Sequence, residues 1–194
     1  MGTAHLSYST KGFVVSQYIR SHISGGTYFF TIVTFQRRAI LTQPDHVMLL
    51  REIISSVKKQ HPFVIDAWVL LPDHMHCIWT LPEGDQDYSK RIGLLKSGFS
   101  KQVNPKFYFE HGGSVSRRKH RESAIWQRRF WEHTILDERD FRQHMDYVHF
   151  NPVKHGLVQR VVDWPYSTFH RYVQQNVYPL DWADDSQIAG NFGE

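Results

Sequence analysis

The 194-residue sequence holds a single cysteine, Cys77, so no disulfide can close within the chain. A reducing cytoplasm is the expected compartment. No apolar run is long enough to cross a bilayer. The opening residues, MGTAHLSYSTKGFVV, lack the basic start and apolar core of a secretory leader. There is no internal repeat. Charge of one sign is not in large excess either: 23 Lys and Arg against 19 Asp and Glu give +4. That balance is compatible with a polyanionic partner and equally with an ordinary soluble protein, so charge alone selects no function.

What is present is a core-forming composition. Hydrophobic residues make up 41% of the chain, enough for one globular domain of this length. Aromatics reach 14%. Such side chains fill cores and also stack on unpaired bases. The 13 histidines direct attention to metal ligands, since imidazole binds metals and titrates near neutrality.

Periodicity gives the order of elements. TYFFTIVTF, from Thr27 to Phe35, reads as a buried strand introduced by Gly25-Gly26. Pro44 opens a helix to about Lys59, with Val47, Leu50, Ile53, Ile54 and Val57 at helical spacing. FVIDAWVLL, from Phe63 to Leu71, and HMHCIWTL, from His74 to Leu81, read as two strands joined by a turn at Pro72-Asp73. A helix is predicted from Ser89 to about Val103, a polar loop or hairpin tip from Asn104 to Ser123, a strand over Trp126–Ile135 and a helix over Glu138–Phe150. Asn151-Pro152 is expected to end or kink that last helix. The order β, α, β-hairpin, α, β, α predicts an α+β fold, an antiparallel sheet with helices packed on one face. Residues 1–24 read as an N-terminal extension, 25–160 as the main domain and 161–194 as a C-terminal tail.

Two short patterns carry chemistry. In His74-Met75-His76, the two histidines of a strand point to the same face and can reach one divalent metal, while Met75 faces the core. Paired histidines at a strand start are also a common coincidence in a His-rich chain, and two ligands do not make a site. Tyr147 and Asn151 lie four apart on a predicted helix and share a face. The Asn151 amide oxygen can complete the metal site, and Tyr147 then sits beside the metal. A core tyrosine with a satisfied hydroxyl is the competing reading. Gln143 and His144, one turn earlier, read either as partners of the tyrosine hydroxyl or as solvated polar groups. A phenol with a pKa near 10 is a poor nucleophile at neutral pH. A cation on a non-bridging phosphate oxygen eases its attack. Attack by Tyr147 gives a 5′-phosphotyrosine and a free 3′-hydroxyl, and a DNA 3′-hydroxyl can reverse that step without ATP.

Four segments, LLPDHMHCIWTLPEGD (70–85), QRRFWEHTI (127–135), DYVHFNPVKHGLV (146–158) and DWPYSTFHR (163–171), together resemble the REP-associated tyrosine transposases. These are relatives of the single-tyrosine HUH transposases of bacterial insertion sequences. The resemblance runs from about Gly25 to Asp184. It implies a ferredoxin-like fold with the two histidines on a central strand. It implies His74, His76 and Asn151 as ligands of Mg2+ or Mn2+, and Tyr147 as nucleophile. It further implies single-stranded hairpins of repetitive extragenic palindromes as substrate, a cytoplasmic, nucleoid-associated location in bacteria, and a monomer, with a homodimer as the alternative. The stretch KFYFEHGGSVSRRKHR (106–121) departs from the pattern as an insertion, which puts the grip on the hairpin in question.

Arg117 and Arg118, in RRKHR (117–121), are candidates for phosphate contacts, or for a solvated face. Arg128 and Arg129 alternate on the predicted strand, so one of them is expected to reach DNA; Arg129 shares a face with Trp131 and His133. Lys96 and Lys101, five apart on the second helix, are further backbone candidates. Lys154 and His155 closely follow the tyrosine helix and can face the scissile phosphate, or Lys154 only solvates a turn closed by Gly156. In the tail, Trp164, Tyr166, Phe169 and His170 can stack on unpaired bases, or strap the core. The main expectation is a metal-dependent single-strand DNA endonuclease and strand transferase. Its rivals are a non-catalytic DNA- or RNA-binding module on the same fold and a metal-dependent phosphodiesterase that uses water.

Overall fold

A computed structural model describes residues 23–103 and 125–183. Its strands are β1 (Thr27–Val33), β2 (Val64–Leu70), β3 (His74–Thr80) and β4 (Trp131–Thr134). Its helices are α1 (Pro44–Gln60), α2 (Tyr88–Gln102), α3 (Glu138–Lys154) and α4 (Phe169–Gln174). Short 3-10 turns lie at Phe35–Arg37 and Val161–Asp163. The strands form one sheet in the order β2-β3-β1-β4, and every neighbouring pair is antiparallel.

This order follows from two interleaved β-α-β units. The units β1-α1-β2 and β3-α2-β4 each join two strands of the same direction with one strand between them. Such crossovers are right-handed almost without exception, which sets both helices on one face. There, Tyr28, Phe30 and Ile32 of β1 and Met75, Cys77 and Trp79 of β3 pack against Val47, Leu50 and Ile53 of α1 and Ile92, Leu95 and Phe99 of α2. Local signals agree with the helix starts. Pro44 opens α1, and the Asp87 side chain accepts from the Lys90 amide at 2.9 Å to cap α2.

The expected α+β antiparallel architecture is present, and its one-face arrangement holds for α1 and α2 but not for α3. Phe29, Ala67, Val69 and Ile78 point the other way and bury against Met145, Tyr147 and Val148 of α3. Runs such as FFTIV and MHCIW carry apolar groups on both sides of the pleat, so the second face also needs a cover. Each such side chain contributes about 1.5–3 kcal/mol on burial. Nothing ties α3 to the first face, because the link from β4 to α3 is not a crossover.

Three further boundaries differ from expectation. The fourth strand begins at Trp131, not Trp126, which joins Thr34 only by an isolated bridge. The intervening carbonyls of Gln127 and Arg128 turn to the Lys96 ammonium, at 2.6 and 3.3 Å, rather than to a neighbouring strand. Helix α3 runs through Pro152 to Lys154. The proline falls in the last turn, where only one helical bond is lost. The stop comes at Gly156, whose φ of 66° is left-handed. The amides of Leu157 and Gly156 close back on the carbonyls of Pro152 and Val153, both at 2.9 Å. Finally, residues 161–174 pack tightly on the body: Val161 and Phe169 are buried, and Ser167 bridges to Val69 on the β2 edge.

Candidate active site

His74 and His76 open β3 with Met75 and Cys77 directed into the opposite core. Strand alternation therefore brings both imidazoles onto the α3 face, with ring centres 4.8 Å apart. Both are almost wholly buried. His76 stands across from Thr31, and its Nδ1 meets the Thr31 hydroxyl at 2.9 Å. His74 Nδ1 meets Asp73 Oδ1 at 2.6 Å. In each ring one nitrogen is thus engaged by a neighbour, and the Nε2 atom of His74 is buried and makes no hydrogen bond among the described residues.

Helix α3 brings the remaining groups. The Tyr147 ring lies 5.2 Å from that of His76 and 5.9 Å from that of Phe29, with 2% of the residue exposed. Asn151 follows one turn later and is fully buried. Lys154 returns to the same face: its Nζ is 3.4 Å from the Tyr147 hydroxyl and 4.8 Å from the ring centre. The His155 ring lies 5.1 Å from that of His74.

The stripe continues towards the start of α3. Asp140 Oδ2 accepts from His133 Nε2 at 2.8 Å and from the Leu136 amide at 2.9 Å. His144 Nδ1 lies 2.9 Å from Asp140 Oδ1, and the two histidine rings stack at 4.6 Å. Burial raises the Asp140 carboxyl, but the bonds from His133 and Leu136 outweigh it and hold the group below the usual range. Burial lowers the pKa of His144, against the opposing pull of Asp140. The three residues each place one ligand atom within 4.8 Å of the others, an arrangement able to hold a metal ion. Sequence reasoning missed Asp140 altogether and placed His133 only on a shared face. The available signal was the spacing of Asp140, His144, Tyr147, Asn151 and Lys154, a polar residue every three or four positions along one side of a helix. Gln143, by contrast, is exposed.

Of the residues singled out in the sequence, the structure brings together His74, His76, Tyr147, Lys154 and His155, and it buries Asn151 one helical turn after Tyr147. Lys96 and Lys101 lie on α2, across the sheet; Lys96 holds the two carbonyls described above and Lys101 lines a groove beside Glu52 of α1. Arg129 is exposed immediately before β4. Tyr166 is half-buried against the α1–α2 core, and its carbonyl accepts from the Leu70 amide. His170 Nε2 lies 2.8 Å from the Trp164 carbonyl. Arg117, Arg118 and the 106–121 insertion lie outside the described residues.

The family model for IS200-like transposases matches residues 22–151. A REP-associated tyrosine transposase of Escherichia coli is 48% identical over 171 residues, covering 88% of this chain and 93% of that protein. A second relative, from Haemophilus influenzae, is 45% identical over 180 residues, covering 91% of this chain and 99% of its own length. A solved structure of a REP-associated tyrosine transposase bound to a REP hairpin superposes with a TM-score of 0.74 at 44% identity, covering 92% of this chain and 96% of the other.

Proposed function

The chain belongs to the REP-associated tyrosine transposases, within the IS200-like transposase family, and on that premise we propose that it cuts and rejoins single-stranded DNA at repetitive extragenic palindrome hairpins, with Tyr147 as nucleophile. The observation that carries the reading is the meeting of a helix-borne phenol with a strand-borne imidazole, Tyr147 against His76 at 5.2 Å. His74, His76 and Asn151 would hold a divalent cation. The buried Nε2 of His74, which has no hydrogen-bond partner among the described residues, fits that role. Two imidazole nitrogens and one amide oxygen suit Mn2+ better than Mg2+, which prefers oxygen ligands. When bound, such an ion supplies charge stabilisation at a non-bridging phosphate oxygen.

In the cleavage step, the Tyr147 oxygen bonds to phosphorus, the bond from phosphorus to the 3′-oxygen breaks, and the phenolic proton is lost to solvent. The departing 3′-oxygen takes up a proton and becomes a free hydroxyl. The product is a 5′-phosphotyrosine, a phosphodiester like the one broken, so attack by another 3′-hydroxyl reverses the step. The chain's contribution is placement and electrostatics. Lys154 puts a cation where charge develops on the phenol oxygen and the phosphate. One chain supplies both histidines and the tyrosine, which supports a monomer acting on its own site.

Incubation with a labelled REP hairpin and Mn2+, followed by a denaturing gel, tests the assignment. A covalent protein–DNA band is expected, and Tyr147→Phe is expected to abolish it. Cleavage without the band would mean that water is the nucleophile. Binding without cleavage would leave a non-catalytic module.

A further inference from the structure

We propose that Asp73 is a positioning residue for the metal centre: its carboxylate holds the His74 ring so that Nε2 faces the site shared with His76, and thereby strengthens cation binding. The inference rests on the reading of His74 as a ligand given above.

The turn before β3 is built around Asp73. Its carbonyl accepts both from the Thr34 amide and from the Thr34 hydroxyl, each at 2.8 Å. Its two carboxylate oxygens have separate partners: Oδ1 meets His74 Nδ1 at 2.6 Å, and Oδ2 meets the Arg37 guanidinium at 3.3 Å. The turn is therefore held at the Asp73 carbonyl, and the carboxylate is given over to His74 and Arg37. The Arg37 charge favours the ionised carboxylate, which can only accept. His74 Nδ1 must then donate, and the tautomer is fixed with the lone pair on Nε2. That nitrogen is buried and makes no hydrogen bond among the described residues. A carboxylate behind an imidazole orients the ring, selects the tautomer and makes the opposite nitrogen a better donor to a metal. The Thr31 hydroxyl stands in the corresponding place behind His76.

Two measurements on the full chain, without DNA, test the assignment. Nitrogen-15 NMR of the metal-free protein is expected to show the His74 proton on Nδ1; a proton on Nε2 would overturn the proposal. Mn2+ binding, followed by electron paramagnetic resonance, is expected to weaken about 10- to 100-fold in Asp73→Ala. Thermal melting should show the variant folded. If Asp73→Ala does not fold, Asp73→Asn, which retains the shape, takes its place in the comparison, with weakening in the same direction expected. His74→Ala separates the two layers of inference. If His74→Ala loses Mn2+ while the folded Asp73 variant binds like the wild type, the role of Asp73 is wrong and the ligand assignment stands. If His74→Ala binds Mn2+ like the wild type, the ligand assignment itself fails.

Discussion

Lys154 stands seven residues after Tyr147 and turns back to it, covering both the ring and the hydroxyl. Sequence spacing suggested a phosphate contact, while the structure adds Tyr147, the proposed nucleophile, as a neighbour. Lys154→Gln is expected to slow formation of the covalent adduct by about 100-fold, the usual cost of removing one group aimed at developing charge. Hairpin affinity should fall by less than about tenfold, the share of a single phosphate contact. Single-turnover gels and a binding titration separate the two effects. Equal losses in both would make Lys154 a binding residue only. At this scale the sequence was legible wherever the relation was local: His74 with His76 across one strand step, and Tyr147 with Asn151 across one helical turn. It was silent on Asp140, whose partner His133 lies on another element, and on Lys96, whose carbonyl partners come from a segment some thirty residues away.

At the level of elements, the start of α2 depends on a charge that is almost out of water. The Arg91 guanidinium, 3% exposed, bonds Asp85 Oδ2 at 2.5 Å and Oδ1 at 3.1 Å, and reaches the carbonyls of His61, Pro62 and Asp87. It thereby joins α2 to the end of α1. Asp85→Ala is expected to cost about 2 kcal/mol, since a buried charge loses its counter-ion but keeps its carbonyl partners. Hydrogen bonding from Arg91 holds the Asp85 carboxyl below its ordinary value of 3.8. The unfolded chain therefore binds this proton first as the solution is acidified. The pair's stabilisation is complete above pH 3.8 and is lost as pH falls through that value towards the lower folded one. Denaturant titrations of wild type and variant should converge in that window; a gap independent of pH would dismiss the pair as the cause. Helix α3 shows the limits of reading single residues. Proline marked its end in the sequence, but a missing amide in the last turn costs little, and the stop is set by Gly156.

For the whole molecule, the order of elements along the chain, α1 and α2 included, was legible because the runs of apolar residues have clear periods, whereas the order of strands across the sheet was not read from them. The place of α3 was harder, since TYFFTIVTF announces a strand buried on both sides without saying which helix covers each side. The segment after residue 160 read as a tail, but it closes the β2 edge. The Thr168 amide bonds the Trp68 carbonyl, and the Leu70 amide bonds the Tyr166 carbonyl, each at 2.9 Å. Phe169 anchors this closure with no exposed surface. Phe169→Ala is expected to cost about 3–5 kcal/mol and to release an open strand edge prone to self-association; calorimetry with light scattering measures both. Unchanged melting would mean that the segment is only draped over the surface. The sheet also insulates two tasks from each other. Leu50, Ile53 and Phe99 secure one layer, and the histidines and tyrosine occupy the other. Changes in the first layer can alter how long the molecule survives heat or proteolysis while leaving its reactive side as it was, so durability and chemistry are open to separate adjustment in descent.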